Sequence, residues 1–337
     1  MAEAKDEGLM DEGTYRLIVI VCLVITLIIS PLGIIFNIIN IVVFCKLGFK
    51  ESTNIILVSL AVTDICILMT LLGLTVNANL MAMGGANFDI LAAVAYIVLG
   101  WPNVLTTRIS GCLTTYLTFE RFLCVVLPLR VKTILQKKTA LTFIIALCLF
   151  SMAYSVPMYL ANSIGLRFNP MSNQTSVGLI VAENSDVLEE FSISVNTIIE
   201  FTSFTLVTVF TLGLLSSYVS SAKWRKEISG VAKNSQFTNR DRKLLKMVLL
   251  ISIVFIGCSL PTVIGDVVML LVKDFNIKGR ERFLFIASCA IFYNFLALNS
   301  LASFFIYLNM SSKFRKCFVE MLSVLKETKT LDTNQKL

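Results

Sequence analysis

Seven stretches of the chain are apolar over the length of a membrane crossing: roughly Leu17 to Phe44, Ile55 to Thr75, Ala93 to Val126, Ala140 to Leu160, Val195 to Tyr218, Leu244 to Val272 and Phe283 to Leu308. A helix needs about 20 such residues to cross the hydrocarbon core, because every backbone amide there must find its partner within the segment. The third stretch is the most polar of the seven. Beyond the last, Ser312 is placed to cap a short helix in which Phe314, Phe318, Leu322 and Leu325 share one face, with Lys313, Arg315 and Lys316 toward the other. That pattern fits a helix lying along a membrane surface. The chain therefore reads as an all-α membrane protein, a seven-transmembrane helix bundle with a short amphipathic eighth helix. Its expected parts are an N-terminal segment at 1–16, the bundle at 17–308, the eighth helix at 309–326 and a tail at 327–337.

Composition agrees. Soluble domains carry about a quarter charged residues, whereas this chain of 337 residues is 15% charged and 56% hydrophobic, with a mean hydropathy of +0.81. Six Pro and 16 Gly leave little material for long linkers, and no internal repeat, heptad run or low-complexity tract interrupts the series. With no histidine in the chain, imidazole metal ligation and histidine-based catalysis are excluded, which argues against a metallohydrolase or a triad enzyme. The nine cysteines lie in or at the ends of apolar segments, apart from Cys317, and read as small buried hydrophobes rather than as a disulfide framework. Cys317, on the eighth helix, is a candidate for acylation.

The net charge of +7 is distributed as in a protein facing an anionic leaflet, so it implies membrane lipid and no nucleic acid. Clusters at Arg130 to Lys138, Lys223 to Lys246 and Lys313 to Lys316 carry most of it. They orient the chain with these loops in the cytoplasm and the N-terminus outside, as a multi-pass protein of the plasma membrane. The opening stretch, Met1 to Gly13, is acidic and lacks the basic start and cleavage site of a signal peptide, so the first helix is expected to be a retained anchor. Asn173, in the sequon Asn173-Gln174-Thr175 after the fourth stretch, falls on the outer side and is a candidate glycosylation site.

Polar residues held inside a membrane are costly and tend to serve function. Helix one carries Gly33-Ile34-Ile35-Phe36-Asn37, helix two Leu60-Ala61-Val62-Thr63-Asp64, and helix three ends in Glu120-Arg121-Phe122, with Pro128-Leu129-Arg130 following. Helix six holds Cys258-Ser259-Leu260-Pro261, and helix seven ends Asn299-Ser300-Leu301-Ala302-Ser303-Phe304-Phe305-Ile306-Tyr307, followed by Lys313-Phe314-Arg315. In order and spacing these motifs resemble the rhodopsin-like G-protein-coupled receptors, over nearly the whole membrane domain.

The chain also departs from that family's pattern. Ser259 stands where a Trp is expected and Ser303-Phe304 where Asn-Pro is expected. Helix four lacks its usual Trp and helix five its usual Pro, and Tyr96 replaces the Cys near the outer end of helix three. The outer disulfide typical of the family is therefore expected to be absent.

What the resemblance implies is a receptor that binds an extracellular small-molecule or peptide ligand and activates a heterotrimeric G protein. Arg121, paired with Glu120 and with Asp241 at the start of helix six, would be the switch. Tyr218 and Tyr307 would support the open state, with Phe255 and Pro261 on the path between ligand and switch. Asp64 with Ser110, Asn299, Ser300 and Ser303 matches positions that hold a sodium ion in relatives; no other cofactor is implied. Asn103, Thr107, Arg108, Glu200, Asp266, Tyr293 and Asn294 would line the ligand cavity. Arg108 there needs a partner, either Glu200 or a ligand anion. Asn103 occupies the position of the Asp of amine receptors, which disfavours a biogenic amine, and Ala297 stands where opsins carry their retinal lysine.

Within the family, the stretch from Trp101 to Phe122 and the Gly33 to Asn40 pattern look most like divergent invertebrate receptors. Both FMRFamide-type neuropeptide receptors and the candidate chemosensory receptors of gastropod molluscs fit. The reading taken is chemosensory, with a neuropeptide receptor as the alternative. A transporter or channel is the second alternative, disfavoured because paired helix breaks, repeats and a re-entrant filter are not seen.

Overall fold

The computed structural model describes residues 8–83, 88–127, 136–169, 174–227, 239–276 and 279–334, without the side chains of 167, 169, 174, 218–227, 239–242 and 324–334. Seven helices are long and apolar enough to cross a membrane: α1 (Glu12–Leu47), α2 (Ser52–Ala82), α3 (Phe88–Val126), α4 (Lys137–Ala161), α5 (Ser185–Glu227), α6 (Asn239–Leu271) and α7 (Arg282–Met310). An eighth, α8 (Ser312–Asn334), packs back on α1 and α7. The helices run beyond the apolar stretches at most ends, because a helix continues past the hydrocarbon wherever its backbone groups can be capped or solvated. Asp11 does this for α1: its carboxylate accepts from Thr14 N at 2.8 Å and from Thr14 Oγ1 at 2.6 Å, so the helix starts ahead of Leu17. Those two bonds hold the Asp11 carboxyl below its ordinary range. The other end of α1 stops at Gly48, whose φ of 80° is open to glycine without strain.

The first helix turns its polar and small residues inward. On α1 the buried positions are Cys22, Thr26, Ser30, Gly33, Asn37, Asn40 and Phe44 among others, a stripe at three- and four-residue spacing, while Leu17, Ile20, Val24, Ile28, Ile35 and Ile38 lie exposed. A water-soluble helix would show the reverse. In lipid the exposed aliphatic face is solvated, and small residues let the helices approach: a Cβ added at Gly33 would stand 2.7 Å from Leu68 Cδ1.

Three features depart from the sequence reading. Helix α3 begins at Phe88 rather than Ala93 and contains a π-helical stretch, Val94–Gly100, before Trp101–Val126 resumes α geometry. Between α4 and α5 an antiparallel hairpin of β1 (Asn162–Asn169) and β2 (Gln174–Val181) adds a small sheet to the all-α bundle. None of the nine cysteines forms a disulfide; the hairpin is tied instead by Ser176 Oγ donating to Asp89 Oδ2 at 2.8 Å and Asn162 Nδ2 to Glu189 Oε1 at 2.7 Å. Finally, α8 reaches Asn334, past the expected end at 326, and its first turn is capped by Ser311 rather than Ser312, with Phe314 N donating to Ser311 Oγ at 3.2 Å. Phe314 is fully buried beside Phe44 and Tyr307, whereas Leu322 is 48% exposed. Cys317 is half-buried against this core.

Candidate functional site

The central cavity, about 280 Å³, lies among α3, α5, α6 and α7. Asn103, Thr107, Arg108, Glu200, Asp266 and Tyr293 all line it. Arg108 is paired with Glu200 through Nη2 and Oε2 and donates from Nε to Asn196 Oδ1 at 2.9 Å. Within the protein, Glu200 is thus the group that neutralises the guanidinium. Asn196 was not visible in the sequence as part of this group, since an Asn one helical turn before a Glu carries no distinguishing signal.

Two cavity residues behave otherwise than expected. Asn294 is turned away to α1, its Nδ2 donating to Cys22 O at 3.2 Å and Ala290 O at 2.9 Å, with Thr26 Oγ1 at 3.4 Å from its carbonyl. It belongs to the α1–α7 seam, because the neighbouring Tyr293 takes the cavity-facing position and adjacent residues on a helix point about 100° apart. Asn103 borders the cavity, but its amide is committed to α2, donating to Thr70 Oγ1 at 2.8 Å and Ile67 O at 3.2 Å.

Phe255, Ser259, Ser110 and Asn299 also line the cavity. With Ser in place of the expected Trp at 259, that wall is lined by a small polar residue. Pro261 lies inside α6, two residues beyond Ser259.

Asp64, 1% exposed, accepts from Ser300 Oγ at 2.9 Å, and Ser303 is buried one turn further on. Asn37 donates to Ser300 O at 3.0 Å and to Gly33 O at 2.9 Å, and Asn40 donates to Asn37 Oδ1 at 3.1 Å, so the carboxylate is one end of a polar chain across α1, α2 and α7. Ser110 Oγ is buried without a hydrogen-bond partner. A carboxylate with hydroxyl and amide oxygens is the donor set a hard cation takes, so the residues fit the ion that the resemblance implies.

At the α8 end of α3, Arg121 donates to Glu120 Oε1 at 2.7 Å and contacts Thr53 Oγ1. The same Glu120 oxygen accepts from Thr53 Oγ1 at 2.8 Å and Ser52 Oγ at 3.0 Å. Both charged side chains are largely buried, at 13% and 4% exposure. The acid–arginine pair is therefore fastened to the first turn of α2, a partnership the sequence did not disclose because nothing in the residue types of Ser52 and Thr53 points to a partner on another helix. The other expected partner of Arg121, Asp241, and Tyr218 lie on described backbone of α6 and α5, but their side chains are outside the described residues, as is Asn173. Tyr307 is buried among Phe44 and Phe314.

Midway between cavity and arginine, Thr118 and Ser252 meet across α3 and α6. The geometry is thus a largely apolar cavity with a few charged and polar groups toward the hairpin end, a buried carboxylate network beside it, and a restrained arginine at the other end of α3. Against known families, residues 36–307 match the model described as "7 transmembrane receptor (rhodopsin family)". No curated protein matches the chain.

Proposed function

The chain belongs to the rhodopsin family of seven-transmembrane receptors, and on that premise we propose that it is a G-protein-coupled receptor of chemosensory type. It resides in the plasma membrane with the N-terminus and hairpin outside and the basic loops in the cytoplasm, the arrangement that the distribution of Lys and Arg favours. A ligand entering the central cavity binds more tightly to the state whose α8 end accepts a heterotrimeric G protein, and shifts the population by that difference.

The observation that carries this reading is the Glu120–Arg121 pair held to Ser52 and Thr53. A guanidinium this buried is a charge the fold must keep satisfied, so its release requires a discrete rearrangement rather than a gradual one. Asp241 and Tyr218 would meet the arginine from α6 and α5 in the closed and open states, and Tyr307 from α7 in the open one. Phe255 lines the cavity, and Pro261 lies on α6 between the cavity residues Ser259 and Thr262, where a change in ligand contact bends or turns the helix.

A sodium ion, when bound, supplies a counter-charge to Asp64; Ser110, Asn299, Ser300 and Ser303 are the other residues that would hold it. The cavity of about 280 Å³ is at the low end of ligand-pocket sizes, which supports a small molecule over a neuropeptide. Glycosylation at Asn173 and acylation at Cys317 accompany this topology.

The test is nucleotide exchange on a co-expressed G protein, with and without Arg121→Ala, recorded beside membrane current in the same cells. Exchange that depends on Arg121, with no current, is expected. A current that survives the substitution would overturn the receptor reading in favour of a channel or transporter.

A further inference from the structure

The charges in the central cavity do not balance. Among the described residues, its lining carries one guanidinium, Arg108, against two carboxylates, Glu200 and Asp266, and no lysine. The chain has no histidine to supply a further cation. Arg108 is spent on Glu200 and Asn196, while Asp266 lines the same cavity. Glu200 is only 7% exposed, and its Oε2 is the oxygen paired with Arg108 Nη2. That pair is neutral, so the second carboxylate, Asp266, is the one that must hold a proton or receive a positive charge. Phe204, Phe292 and Tyr293 stand in the same wall, and aromatic rings attract cations further.

Resting on the receptor reading above, we propose that the ligand is a small organic cation, an ammonium or a guanidinium, whose charge is received by Asp266 on α6 and Glu200 on α5. The amide of Asn103 is held by α2, so the counter-charge that amine receptors place on the third helix stands here across the cavity. Arg108 acts as a positioning residue, keeping one face of Glu200 occupied so that the other addresses the cavity.

The test uses the full chain, purified in detergent, with thermal unfolding followed against graded concentrations of 2-phenylethylammonium and phenylguanidinium. The neutral isostere 2-phenylethanol and the anion phenylacetate are run beside them. At least one cation is expected to raise the unfolding temperature with an apparent affinity at least about tenfold above the neutral probe's. Asp266→Asn is expected to weaken that cation roughly tenfold to a hundredfold, the worth of a hydrogen bond to a charged group, and Glu200→Gln to weaken it as well. Equal stabilisation by the neutral or anionic probe, an unchanged cation affinity in Asp266→Asn, or no effect of either cation overturns the proposal. The comparison among probes on the unsubstituted chain needs no variant to fold. Because binding is read without a G protein, cation selectivity without nucleotide exchange sinks the signalling reading alone, and exchange without cation selectivity sinks this one alone.

Discussion

Ser252 on α6 donates its hydroxyl proton to Thr118 on α3: the two oxygens are 2.7 Å apart and both side chains are fully buried. The direction follows from proton count, since the single hydroxyl proton of Thr118 is already given to Thr114 O at 2.8 Å. This bond crosses the interface that α6 must loosen if the α8 end is to open.

Ser252→Ala removes the bond and leaves a well-packed small residue. At about 1 kcal/mol for a neutral hydrogen bond, the balance between closed and open states should move roughly fivefold toward open. Basal nucleotide exchange without ligand is expected to rise by about that factor. Unchanged basal exchange at equal surface expression would show that the bond is kept in both states.

Glu120→Gln keeps the shape of the pair and removes its charge. The amide still meets Ser52 and Thr53 but no longer neutralises Arg121, whose bond to Glu120 Oε1 is 2.7 Å. Charge-assisted bonds are about twice as strong as neutral ones, so a rise in basal exchange of roughly tenfold is expected, larger than for Ser252→Ala. A fall in basal exchange would assign Glu120 to the open state instead.

Asn37→Leu breaks the bonds to Gly33 O and Ser300 O and leaves Asn40 Nδ2 without its acceptor. Polar contacts between membrane helices are worth about 0.6 kcal/mol on average and at most about 1.7. The loss should fall near the upper end, because several groups lose partners together. Thermal unfolding of the purified chain should show a lower midpoint with ligand selectivity intact; an unchanged midpoint would mean that the apolar replacement packs as well as the network it removes.

For Asp64, the measurement is unfolding temperature in sodium chloride against potassium chloride. A bound ion stabilises the folded chain by mass action, in proportion to the logarithm of its concentration above the dissociation constant. The unsubstituted chain should unfold at a higher temperature in sodium, and Asp64→Asn should erase the difference. Equal temperatures in both salts for the unsubstituted chain would assign the cluster to hydrogen bonding alone.

The seven crossings, their order and the eighth amphipathic helix could be read from residue type alone. The preference of a segment for lipid is a sum over its own side chains, and the backbone inside lipid has few alternatives to a helix. The motifs at Asn37, Asp64, Glu120-Arg121, Pro261 and Tyr307 were readable too, because each is local. What residue type left open was partnership. Tyr293 and Asn294 are neighbours in the chain, yet one faces the cavity and the other the α1 seam; Thr53 lies outside every motif read from the sequence and is a partner of Arg121. Arg108 and Asn196 are distant in sequence and meet through a hydrogen bond. Such pairings depend on how each helix is rotated about its axis against the next, where a fraction of a turn exchanges one partner for another. That rotation is decided by the packing of all the helices at once, so tertiary structure alone determined which of these side chains meet and what holds Glu120 and Arg121 in place.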